Sequence, residues 1–82
     1  MRSTVTEHER GPAPAVLDVT VNGERRAVAP DLTLHALIVS LGLDPERVAV
    51  ELNRAIVKRD LWQSRRIDAG SEIEIVQFVG GG

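Results

Sequence analysis

Hydrophobic and polar residues alternate near the start of the chain. Between Leu17 and Val21 every second residue is aliphatic, which is the period of a half-buried strand. Asn22-Gly23 follows, and this pair tolerates the positive φ angles of a tight hairpin turn. We therefore expect a strand that ends at Val21 and an antiparallel strand over residues 24–28.

The next segment has the spacing of a helix. Four apolar residues fall at i, i+3, i+4 and i+7 on one helical face: Leu34, Leu37, Ile38 and Leu41. Thr33 is a candidate N-cap, and Gly42 is placed to adopt the left-handed conformation that ends many helices. The sequence therefore specifies both ends of this helix.

The second half of the chain predicts three more strands. Residues 48–52 alternate between apolar and polar, residues 55–57 follow a turn at Asn53-Arg54, and residues 72–78 are rich in β-branched side chains. Residues 58–66 read as a loop or single turn anchored by Trp62. The periodicity alone gives an α+β class. The order β-β-α-β-β-β is that of a β-grasp, ubiquitin-like domain with a mixed sheet packed on one main helix.

Composition sets the expected domain limits. The 82 residues allow one small domain, and the single Phe and single Trp leave its core to aliphatic side chains. Residues 1–15 are polar, charged and proline-containing, which predicts a disordered leader. The β-grasp domain is expected over residues 16–79, followed by a flexible glycine tail, residues 80–82.

Composition also excludes several functions. The chain has no cysteine, so it cannot form a disulfide, a thiolate metal site or a persulfide of its own. A net charge of −2 without a basic patch argues against nucleic-acid binding, and no apolar run is long enough for a membrane span. These features predict a cytoplasmic protein.

The residues offer little for catalysis. His8 lies in the leader, and His35 lies beside the apolar face of the helix, where a boundary residue is more common than a base. No Ser/His/Asp catalytic triad can be proposed with geometric support from the sequence. Glu72 and Glu74 could form a metal pair, but two carboxylates on an exposed strand face are usually solvated. We therefore predict no metal site and no enzyme.

The glycine tail is the candidate site. Residues 79–82, if extended, reach roughly 13–14 Å, and glycines can thread a narrow channel. The carboxylate of Gly82 is a poor acyl electrophile unless it is activated. Because the sequence has no phosphate-binding loop, we expect the activating machinery to belong to another protein. The alternative interpretation is a frayed terminus without function.

The last predicted strand has one face that ends in apolar residues. Val76 and Phe78 share that face beside the tail, and with Val79 they are candidate docking residues for a partner. The alternative for Phe78 is that it completes the core. By parity Ile73, Ile75 and Val79 share the opposite face and are expected to point into the core.

In its sequence the chain resembles the ThiS sulfur carriers of thiamin biosynthesis, within the wider ThiS/MoaD ubiquitin-like group. The resemblance covers residues 16–82. It is carried by VTVNGE at 19–24, TLHAL at 33–37, VAVELN at 48–53, IVKRDLW at 56–62, DAGSEIEIV at 68–76 and VGGG at 79–82.

The resemblance implies a carrier that other proteins act upon. A ThiF-like enzyme would adenylate the Gly82 carboxylate with ATP and magnesium. Sulfur from a cysteine-derived persulfide, supplied by a donor such as a cysteine desulfurase, would convert it to a thiocarboxylate. A ThiG-like thiazole synthase would take the sulfur. Gly80 and Gly81 would then give access to the terminal carboxylate.

Two other functions stay open at this point. A MoaD-like carrier would supply sulfur to molybdopterin, although such tails more often carry proline where this chain has Gln77-Phe78-Val79, and other sulfur routes are possible. A β-grasp interaction module would not use the carboxylate at all. Residues added after Gly82 should abolish a carrier and leave an interaction module unaffected.

Overall fold

The predicted β-grasp fold is confirmed by the computed structural model, which describes residues 16–79. The predicted leader and glycine tail lie outside these residues. The elements are β1 (Leu17–Val21), β2 (Glu24–Val28), α1 (Leu34–Ser40), β3 (Val48–Leu52), β4 (Ala55–Ile56) and β5 (Glu72–Gln77), with 3-10 turns at Pro45–Arg47 and Arg59–Leu61. The sheet order is β2-β1-β5-β3-β4, and only the β1–β5 pairing is parallel.

The first hairpin forms where the sequence predicts it. Asn22 has φ 50° and Gly23 has φ 83°, and Val21 pairs with Glu24 across the turn. These left-handed values suit a two-residue turn whose twist matches that of the strands. The turn therefore sets the register of β1 and β2.

Both predicted ends of α1 are confirmed. The Thr33 hydroxyl accepts a hydrogen bond from the Ala36 N–H at 3.1 Å. Gly42 has φ 78°, and the Leu43 N–H donates to the Ile38 carbonyl at 3.2 Å. This is the Schellman ending, which satisfies carbonyls that the helix leaves without partners.

The core lies between α1 and the inner face of the sheet, which is the face directed at the helix. Leu34 and Ile38 are fully buried there. Trp62 is 2% exposed, and its Nε1–H donates to the Val57 carbonyl at 2.8 Å, as expected of a loop anchor. Ile67 is equally buried but was not predicted, because it stands alone between charged residues without a periodic neighbour.

Two strand ends differ from the sequence prediction. β4 ends at Ile56 rather than residue 57, although the Val57 N–H still donates to the Val50 carbonyl. β5 ends at Gln77 rather than residue 78. Val79 is 91% exposed, so the expectation that it points into the core is wrong. It lies beyond the strand, where no sheet pairing imposes alternation.

No helix among residues 16–79 is long and apolar enough to cross a membrane.

Candidate functional site

The chain leaves the sheet at the carboxyl end of β5, the central strand. The Phe78 N–H donates to the Arg47 carbonyl at 2.7 Å, one residue past the strand. Val79 follows and is almost fully exposed. The predicted carrier residue Gly82 and the access residues Gly80 and Gly81 lie outside the described residues. The structure thus defines the point from which the tail starts.

The turn that holds Phe78 is itself tied to the core. Asp44 caps it by accepting from the Glu46 N–H at 2.9 Å. The guanidinium of Arg59 donates to the carbonyls of Pro45 and Glu46 at 3.2 and 3.3 Å. It also lies 5.5 Å from the centroid of the Trp62 ring, within cation–π range. Arg59 therefore links the base of the tail to a buried anchor, a role that sequence analysis missed.

Two asparagine side chains fix the backbone of β5. The amide of Asn22 accepts from the Ile75 N–H at 2.7 Å and donates to the Ile75 carbonyl at 3.2 Å. Asn53 accepts from the Glu72 N–H at 2.9 Å, and its own N–H donates back to the Glu72 carbonyl at 2.7 Å. Both asparagines have left-handed φ angles. They extend the hydrogen bonding of β5 beyond its neighbouring strands, so its side chains keep fixed directions.

The three candidate docking residues are exposed and close in sequence. Val76 is 61% exposed, Phe78 is 53% exposed and Val79 is 91% exposed. The alternative in which Phe78 completes the core is therefore wrong. Val76 faces Ala49 across the β3–β5 pairing. The structure thus places an apolar surface at the base of the tail.

This apolar surface continues into a shallow groove on the outer face of the sheet, the face turned away from α1. The groove is lined by Ala49, Val50, Glu51, Ile56, Glu74 and Val76. Val76 and Glu74 are recognisable in the sequence, whereas no local pattern marks Glu51 and Ile56 as their neighbours. Their juxtaposition depends on the register of β3, β4 and β5, which no local pattern reports.

The described residues form no metal centre. Among residues 16–79, no group of three His, Asp or Glu side chains is arranged to hold an ion. His35 is half-buried beside Pro45 and Arg59 and does not line the groove. The described residues thus present an exposed apolar surface and the point where the chain leaves the sheet.

Comparison with known proteins identifies the family of the chain. The ThiS family model matches residues 19–82. The chain belongs to the ThiS family. The resemblance to ubiquitin-like sulfur carriers is thereby confirmed. The match to ThiS extends through the three glycines that lie beyond the described residues.

Solved structures agree with the ThiS assignment. A thiamine biosynthesis protein (ThiS) of Geobacter metallireducens superposes with a TM-score of 0.70 at 32% identity, over 80% of this chain and 100% of that one. A computationally designed protein based on human erythrocytic ubiquitin gives a TM-score of 0.51 at 22% identity, over 84% and 98% of the two chains. At that identity the designed protein supports the β-grasp fold alone.

Sequence relatives include a larger protein that contains a ThiS-like segment. A thiazole synthase of Paramagnetospirillum magneticum is 38% identical over 66 residues, which is 80% of this chain and 20% of that protein. A thiazole synthase of Magnetococcus marinus matches over the same shares at the same identity. The chain therefore spans about a fifth of the length of these relatives.

Proposed function

We propose that this chain is a cytoplasmic sulfur carrier for thiazole formation in thiamin biosynthesis, and that the Gly82 carboxylate carries the sulfur. The observation that carries the proposal is the family match over residues 19–82, which includes the glycines. The fixed base of the tail supports it. The Phe78 N–H donates to the Arg47 carbonyl, so the backbone is anchored to the domain one residue past β5.

The chemistry requires activation of the carboxylate. An oxygen of the Gly82 carboxylate attacks the α-phosphorus of ATP, and pyrophosphate leaves. The terminal sulfur of a persulfide then attacks the acyl carbon, and AMP leaves. A thiol reduces the resulting acyl disulfide and releases the thiocarboxylate. The chain lacks cysteine and a phosphate-binding loop, so the activating partner would use ATP and magnesium and a separate donor would supply the sulfur.

Three partners follow from this scheme. They are a ThiF-like adenylating enzyme, a sulfur donor such as a cysteine desulfurase, and a ThiG-like thiazole synthase. The thiazole synthases that contain a segment similar to this chain support the last of these. Val76, Phe78 and Val79 are the proposed docking residues, because they form the exposed apolar surface nearest the tail.

The adenylation step can be tested directly. The chain is incubated with a ThiF-type enzyme of the same genome, ATP and magnesium, and pyrophosphate exchange is measured. We expect exchange with the unaltered chain and none with a chain that has one alanine after Gly82. The Ala69→Ser variant, changed in a surface turn, is the control and should keep full exchange. Equal exchange with the extended chain would refute the role of Gly82.

Pathway assignment needs a second measurement. Thiocarboxylated chain is supplied to a ThiG-type thiazole synthase and its other substrates, and sulfur in the thiazole product is followed with a sulfur isotope. Label in the thiazole supports the thiamin pathway. Formation of the thiocarboxylate without transfer to thiazole would retain the carrier chemistry and refute the pathway.

A further inference from the structure

Two carboxylates stand opposite each other on the outer face of the sheet. Glu51 of β3 and Glu74 of β5 are direct cross-strand partners, and both side chains are exposed. Like charges in this position destabilise a sheet. Among residues 16–79, neither carboxylate has a cation within ion-pair distance. The opposed carboxylates thus do not contribute to the stability of the fold.

The other carboxylates of the outer face are paired differently. Asp18 lies 3.9 Å from the guanidinium of Arg25, and Glu72 lies 3.8 Å from that of Arg54. The two opposed carboxylates are thus set apart from their neighbours on the same face. They are also the two carboxylates that line the groove.

The floor of this groove is apolar. Ile56 is 78% exposed and lies directly across from Glu51, and Val76 is 61% exposed across from Ala49. We call the surface formed by Ala49, Glu51, Ile56, Glu74 and Val76 the acidic groove. Burial of its apolar residues would stabilise a complex. Burial of its carboxylates would destabilise the complex through lost solvation, unless a cation of the partner paired with them.

We infer that the acidic groove docks the adenylating partner, and that the partner places an arginine between Glu51 and Glu74 with apolar side chains on either side. This inference rests on the proposed function. A guanidinium has five donors in a planar fork and can bond two carboxylates at once. Its aliphatic stem and neighbouring apolar side chains cover Ile56 and Val76.

A second copy of this chain does not fit the same surface. A two-fold contact through the acidic groove would place each acidic pair against its own copy. Four carboxylates would then be buried together without a cation. A neutral partner would likewise bury the opposed pair uncompensated. Charge complementarity therefore selects a basic partner.

The test uses the double variant Glu51→Gln/Glu74→Gln in the full chain. Its matched control is Glu24→Gln/Asp68→Asn, which makes the same change of charge at exposed residues outside the groove and away from the base of the tail. Affinity for the ThiF-type enzyme is measured by calorimetry without ATP, at low and at high salt. We expect the groove variant to bind about tenfold more weakly at low salt and to lose most of the salt dependence. The control should match the unaltered chain.

Thermal unfolding separates docking from a structural role. Because the substitution removes opposed like charges, the groove variant should unfold at the same temperature as the unaltered chain or higher. Weaker binding together with a lower unfolding temperature would overturn the inference. So would equal binding of both double variants, or loss of groove amide signals with rising concentration of the chain alone, which indicates self-association.

Failure of this inference differs from failure of the proposed function. If the enzyme binds the unaltered chain, discriminates against the groove variant and yet never adenylates Gly82, the docking surface stands and the function is refuted. If both double variants are adenylated with the same KM as the unaltered chain, the function stands and the acidic groove is not the docking surface.

Discussion

The two faces of the sheet come from the same strands but carry opposite kinds of side chain. On the inner face Val50 is 2% exposed and Ile73 is 1% exposed. On the outer face, one residue further along, Glu51 and Glu74 oppose each other and Val76 remains 61% exposed. Packing explains every residue of the inner face named above. It does not explain the acidic groove, which is the proposed contact surface for the adenylating partner.

The largest difference between the faces should come from truncation on one strand. Ile73→Ala removes a fully buried side chain and should lower the free energy of unfolding by about 2–5 kcal/mol. Val76→Ala, three residues along β5, should cost less than about 1 kcal/mol because the side chain is exposed. Urea unfolding measures both. Equal losses would contradict the assignment of the two faces.

The second prediction concerns the anchor beneath the tail. Trp62→Phe removes the Nε1–H donor, which leaves the Val57 carbonyl without its partner, and it reduces the contact with Arg59. We expect a loss of about 1–3 kcal/mol in urea unfolding. The substitution should also speed hydrogen exchange at the Phe78 amide more than at the Ile75 amide. Unchanged exchange at Phe78 would mean that this anchor does not support the base of the tail.

The third prediction separates the side-chain bonds of Asn22 from its backbone angle. Asn22→Gly keeps the left-handed φ of 50° and loses both bonds to Ile75, for a cost of about 1–2 kcal/mol. Asn22→Ala loses the same bonds and adds about 1 kcal/mol of backbone strain. Both variants should speed exchange of the Ile75 amide. If glycine and alanine cost the same, strain at residue 22 is not a factor.

The smallest effect on stability is expected in the groove. Ile56 is 78% exposed, so Ile56→Thr should change the free energy of unfolding by less than about 0.5 kcal/mol. Its KM in the pyrophosphate exchange assay should nevertheless rise severalfold. Val39→Thr, at an exposed position of α1, is the control and should leave KM unchanged. An unchanged KM for the Ile56 variant would remove this residue from the docking surface.

Local signals predicted most of the fold. Thr33 and Gly42 mark the ends of the helix, and Asn22-Gly23 marks the hairpin, because each of these needs only neighbouring residues. The predicted β5 and the exposure of Val76 also follow from a short stretch of sequence. These features require no knowledge of how strands pair.

Features that depend on distant residues were not predictable in this way. The groove unites Glu51 and Glu74, which are adjacent only because of the β3–β5 register. The bonds from Asn22 to Ile75 span 53 positions in the sequence. Val79 was wrongly assigned to the core because alternation was extended past the last paired residue. Long-range pairing, rather than residue type, decides all three cases.

The carrier claim is tested most directly by the intact mass of the chain. The protein is incubated with a ThiF-type enzyme, ATP, magnesium, a cysteine desulfurase and cysteine, and fragment ions locate any change. We expect one oxygen to be replaced by sulfur at Gly82, and no such change in the chain extended by alanine. An unmodified Gly82, under conditions in which the enzyme thiocarboxylates its own established carrier, would refute Gly82 as the sulfur-carrying residue.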